Sequence, residues 1–123
     1  MHETIYKICV ENFNDDEIAA YYYTDYDKAN KDALKMVKNR NKLSGIDYFR
    51  QVIHHYDEVA TIVYQFDDDI SVSVEQCGWA QDDGGNIRAI FGVDYTGRTN
   101  YKIFHSSEGF HSYIKDTQPV FKT

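Results

Sequence analysis

The residues of this chain best equipped for chemistry sit near its C-terminus. His105-Ser106-Ser107-Glu108, with His111 close behind, offers imidazoles, hydroxyls and a carboxylate within seven positions. These are the types of a nucleophile, its base and an orienting acid. Neighbours in sequence rarely converge on one reacting atom, however, and the Gly-x-Ser-x-Gly turn that presents a serine nucleophile is missing. His54 and His55 are adjacent. In an extended strand they face opposite sides and cannot chelate as a pair. The histidines therefore read as surface or hydrogen-bonded groups, and no catalytic set is expected.

Carboxylates are more suggestive. Asp15-Asp16-Glu17, Asp67-Asp68-Asp69 and Asp82-Asp83 form three clusters, with Asp57-Glu58 in addition. Each alone suits a turn, where Asp accepts hydrogen bonds from its own backbone. Together they exceed what turns require. Asp67–Asp69 lacks the spaced ligands of a calcium loop, so no metal is expected. The clusters better suit a patch that imitates phosphates or meets a basic protein. Lys28, Lys31, Lys35, Lys38 and Lys42 recur along one arc of a helix. No glycine-rich loop lies beside them to cradle a phosphate, and they read as the solvated face of that helix. Trp79, the single tryptophan, follows a strand in a glycine-flanked segment. It is either tucked over the core edge or a binding anchor, since Trp and Tyr dominate binding hot spots.

The elements that must position these groups follow from periodicity. Thr4–Asn12 alternates as a strand, with Tyr6, Ile8 and Val10 on one face and Lys7, Cys9 and Glu11 on the other. "NFNDD" reads as a turn and Glu17–Tyr23 as the returning strand. Pairing Ile18, Ala20 and Tyr22 with the apolar face of the first strand makes Tyr22 core. It leaves Tyr21 and Tyr23 on the opposite face, half-covered or exposed as partner anchors. Thr24 or Asp25 caps a helix that ends at Ser44-Gly45, and Arg40 overhangs the end of the sheet. Residues 46–56 fit helical and strand spacing alike; their β-branched and aromatic content favours strand. Val59–Phe66 and Ile70–Gln76 are strands joined by the Asp67–Asp69 turn, and "CGWAQDDGGN" reads as a loop. Ile87–Tyr95 and Asn100–His105 form a hairpin around Thr96-Gly97-Arg98. Ser106 or Ser107 caps a short helix. The expectation is an α+β fold: an antiparallel sheet, ββαβ-like at first and continued by a β-meander, with a long amphipathic helix and a short C-terminal helix packed on one face. Strand parity then brings the first two acidic clusters to one end of the sheet and the third to the other.

With 123 residues the chain fits one domain spanning 1–123, and 42% hydrophobic content argues against disorder. No apolar run reaches membrane length and no secretory h-region opens the chain, so a cytoplasmic protein is expected. Cys9 and Cys77 read as buried reduced thiols. Net charge is −7, which argues against direct nucleic-acid binding and favours encounter with a basic partner. The first expectation is therefore a small acidic non-enzymatic binding protein with no cofactor. It would be an inhibitor or adaptor docking on a nucleic-acid-handling protein, as toxin-immunity proteins and phage-encoded anti-defence inhibitors do. Tyr21, Tyr23 and Trp79 would anchor it, and Asp67, Asp68, Asp69, Asp82 and Asp83 would steer it. An alternative is a small enzyme or ligand binder that gathers His54, His105 or His111 with a carboxylate in a pocket. A third is self-assembly through an open sheet edge.

Overall fold

The computed structural model describes residues 2–14, 16–83, 86–93, 99–117 and 119, with the backbone alone at 2–3, 77–83, 90–93, 99–100 and 107. The chain runs β1 (His2–Glu11), β2 (Glu17–Tyr23), α1 (Tyr26–Ser44), β3 (Tyr48–Ile53), β4 (Thr61–Phe66), β5 (Ser71–Asp83), β6 (Asn86–Val93), β7 (Thr99–Phe104) and α2 (Ser107–Asp116). Every strand pair is antiparallel. The main path is β2-β1-β5-β4-β3, and β6 and β7 extend from the far half of β5. The fold is α+β, with one long and one short helix.

α1 starts where Asp25 accepts hydrogen bonds from the amides of Asp27 and Lys28, donors that would otherwise lack partners. It stops at Gly45, whose φ of 70° is the left-handed conformation that ends many helices. Ala29, Ala33 and Val37 are buried on its inner face against Ile8, Tyr23, Ile62, Tyr64, Phe66, Val72 and Val74. Burial of each large apolar side chain here contributes about 1.5–3 kcal/mol. Lys28, Lys31, Lys35, Lys38 and Lys42 all face solvent. Arg40 lies over the Phe66 ring, 4.4 Å from its centroid, at the end of the sheet.

Three expectations are corrected. The helices lie on opposite faces of the sheet: α2 buries Phe110 and Ile114 against Ile5, Ile87, Ala89 and Phe104, with Tyr22 packed beside them. The segment 77–83 is strand rather than loop, because the N-terminal half of β1 and then β6 pair with its backbone. Cys77 is the extra residue of a bulge there, where Tyr6 pairs Gln76 and Ile5 pairs Gly78. The tyrosine parity is also reversed, because Tyr6 pairs Tyr23 and Ile8 pairs Tyr21. Tyr21 and Tyr23 thus face α1, and Tyr22 faces α2. Residues 46–56 do contain a strand, β3. The expected Thr96-Gly97-Arg98 turn lies outside the described residues.

Candidate interaction surface

Tyr23 is fully buried. Its hydroxyl donates to Asp32 Oδ2 at 2.8 Å, and the Lys28 ammonium reaches the same oxygen at 3.1 Å. A tyrosine can occupy a core position because its one polar atom is satisfied there. Burial, then the hydrogen bond to Asp32, pushes its phenol well above the ordinary range. Tyr23 therefore cannot anchor a partner in the folded protein, which corrects the expectation from sequence. Tyr21 is half-buried and lines a groove of about 500 Å³ with Val10, Met36, Arg40, Leu43 and Pro119. Trp79, Asp82 and Asp83 pair through their backbones with Thr4, Ile87 and Asn86. Their side chains lie outside the described residues, as does Asp15.

The acidic turns come together as parity requires. Glu11 pairs Ser71, so the β1–β2 and β4–β5 connections share one end of the sheet. In the second connection Asp69 takes φ 66°, a left-handed position that Asp tolerates better than most residues. The Asp69 amide donates to the Phe66 carbonyl and the Phe66 amide to the Ile70 carbonyl. Asp67, Asp68 and Asp69 are all exposed. Arg40 engages both carboxylate oxygens of Asp68, and that hydrogen bonding holds the Asp68 carboxyl below its usual range. Asp67 and Asp69 remain solvent-facing.

A bulge supplies the next feature, which sequence reading missed. Val10 pairs Ala19 but Glu11 pairs Glu17, leaving Ile18 as an extra residue, 58% exposed. The shift swings Glu17 off the α1 face and onto the face of Lys7, Cys9 and Glu11. There Lys7 bridges to Glu17, and the Cys9 thiol lies 3.3 Å from Glu11 Oε1 and 3.5 Å from Glu17 Oε1. Burial, aided by these carboxylates, raises the thiol far above its ordinary value, which makes it a poor nucleophile. Burial works to lower the Lys7 ammonium, yet the hydrogen bond to Glu17 and the charges around it prevail and raise it. Glu75, paired across from Lys7, is raised by burial and by the charges of Glu11 and Glu17. The only signal for this cluster in the sequence was the alternation Lys7-Cys9-Glu11.

The face of β1, β5 and β4 opposite α1 and its acidic end thus carry seven carboxylates among the described residues: Glu11, Asp16, Glu17, Asp67, Asp68, Asp69 and Glu75. Lys7 is a cation within that face, and Arg40 reaches its end from α1.

A second groove, about 420 Å³, runs along Lys28, Lys31, Lys35 and Lys38. Neither groove is lined by a histidine. His105 instead meets Asn86 at 3.0 Å, His55 meets Thr61 at 2.7 Å, and His111 packs on Phe110. Among the described residues no group of three or more His, Cys, Asp or Glu side chains is placed to hold a metal ion, and no helix is long and apolar enough to cross a membrane. Comparison with protein-family models, curated proteins and solved structures gives no match.

Proposed function

We propose that this protein is a non-enzymatic binding module, an inhibitor or adaptor that docks its acidic sheet end on a basic surface of a partner protein. The observation that carries this reading is the convergence of the two acidic turns with Glu11, Glu17 and Glu75. Unbalanced carboxylates on one side of a small domain focus an attractive field for a cationic surface and raise the rate of encounter. A protein that handles nucleic acid presents such a surface, since its own site is built to meet phosphates. The partner class therefore matches that of immunity proteins and anti-defence inhibitors. The lysine arc of α1 points away from this site and takes no part in docking.

Capture from extracts of the source cells, with wild type and variants compared at low and high salt, tests the reading. The triple substitution Glu11→Lys, Asp67→Lys, Asp69→Lys is expected to lose the partner that wild type retains. Lys31→Glu with Lys35→Glu is expected to retain it, and high salt should weaken the wild-type complex. A partner held equally by the acid-reversed variant, with unchanged salt dependence, overturns the proposal.

A further inference from the structure

The main sheet path ends at β2 on one side and β3 on the other, and β7 closes the extension. Beside β2, Pro119 lines the same groove as Tyr21. β7 pairs with β6 across a bulge between Ile90 and Gly92, one of the devices that blunt an edge. β3 has no proline, no acid and no bulge in its run Tyr48-Phe49-Arg50-Gln51-Val52-Ile53, and the exposed Arg50 is its one charge. Among the described residues it hydrogen-bonds to β4 on one side only. On the face away from α1 it exposes Phe49 by 57% and Ile53 by 40%. In a chain of net charge −7, residues 48–56 hold Arg50 and no carboxylate. Two copies of this acidic protein can meet there without opposing carboxylates.

We infer that β3 is a self-association edge, pairing antiparallel with β3 of a second copy about a two-fold axis. Such an axis stands perpendicular to the sheet and maps each face onto itself, so a residue can pair only with one of its own parity. Three central registers satisfy this. Centring on Arg50 sets guanidinium against guanidinium. Centring on Val52 sets Arg50 against the partner's His54. Centring on Gln51 sets Phe49 against the partner's Ile53, Arg50 against the partner's Val52, and one carboxamide against its twin. The last register opposes no cations and joins the two exposed apolar side chains in cross-strand pairs, the contacts that stabilise sheet pairing. The same register brings exposed Asp47 towards the partner's His55. The acidic face on β5 and β1 lies away from the β3 edge, so this inference stands apart from the docking reading.

Mass measured by light scattering or sedimentation across concentration is the first test. Wild type should approach twice 14.4 kDa as concentration rises. Phe49→Lys with Ile53→Lys should remain monomeric, because each lysine then faces a lysine. Phe49→Lys with Ile53→Glu should dimerise again, because each lysine then faces a glutamate. Cross-linking fixes the register. In a Cys77→Ser background, Gln51→Cys places paired Cα atoms about 4.5–5.5 Å apart, within reach of a disulfide. Phe49→Cys leaves its twin roughly 14 Å away. The first variant should form a reducible dimer on mild oxidation and the second should not, with circular dichroism confirming the fold of each. A wild-type monomer at every soluble concentration, a dimer that survives the double lysine, or equal cross-linking of the two cysteines overturns the inference.

Discussion

Substituting Tyr23→Phe probes the core and the corrected tyrosine parity at once. The change removes one oxygen from a fully buried ring and leaves the ring contacts intact, including Lys28 over its face at 5.6 Å. What is lost is the 2.8 Å hydrogen bond to Asp32. Asp32 is itself buried at 8% exposure, and a hydrogen bond to a charged group contributes about 1.5–3 kcal/mol. Lys28 still reaches Asp32, but its side chain is half-exposed, so solvent screening leaves it only partial compensation. A loss of about 2 kcal/mol is therefore expected, which for a chain of this length lowers Tm by roughly 6–10 °C. Urea unfolding followed by circular dichroism reads the change as a shift in midpoint at constant slope. Tyr21→Phe, at a half-buried site, should change stability by less than about 0.5 kcal/mol. Combining Tyr23→Phe with Asp32→Ala should cost less than the two changes summed, because each alone strands the other partner. Equal and negligible effects of Tyr23→Phe and Tyr21→Phe would refute the buried pair and restore the parity expected from sequence.

Other consequences are also open to measurement. The Glu75 carboxyl is raised above its ordinary 4.5, so the native state holds that proton more tightly than the unfolded chain. The ionised group thus costs stability at neutral pH, and the cost disappears as pH falls below the unfolded value. Glu75→Gln should raise Tm at neutral pH, with the gain vanishing below about pH 4. Gly45→Ala should cost about 1–2 kcal/mol in chemical denaturation. A Cβ there meets nothing within 4 Å, so the whole cost comes from the left-handed backbone. Cys9, 3% exposed and with its thiol raised, should resist alkylation in the native protein and react in denaturant, as peptide mass mapping would show.

Much of the fold was legible in the sequence because it rests on local regularities. The α1 boundaries follow from Asp25 and Gly45, and its lysine arc follows from a 3.6-residue period. Arg40, placed by that period at the margin of the apolar stripe, does overhang the sheet. The shared end of the two acidic turns follows from counting strands. The failures came where pairing decides. Tyr22 and Tyr23 are chemically identical neighbours, and alternation says only that they face opposite ways. Which of them meets α1 depends on the hairpin register, and the extra residue at Ile18 shifts that register. Glycines in "CGWAQDDGGN" suggested a loop, yet the length of β1 and the presence of β6 hold the backbone extended.

Composition and periodicity by themselves determined the class of the fold, the charge layout and the solvated face of α1, because each depends on residues close in the chain. Tertiary structure alone decided that Tyr23 is core and satisfied by Asp32. It alone placed the helices on opposite faces, and it alone turned Glu17 to stand beside Cys9 and Glu11. The physical reason is one of distance along the chain. A helix reads its own four-residue neighbourhood, whereas a sheet face is assembled from residues up to about eighty positions apart. A single bulge exchanges the inside for the outside.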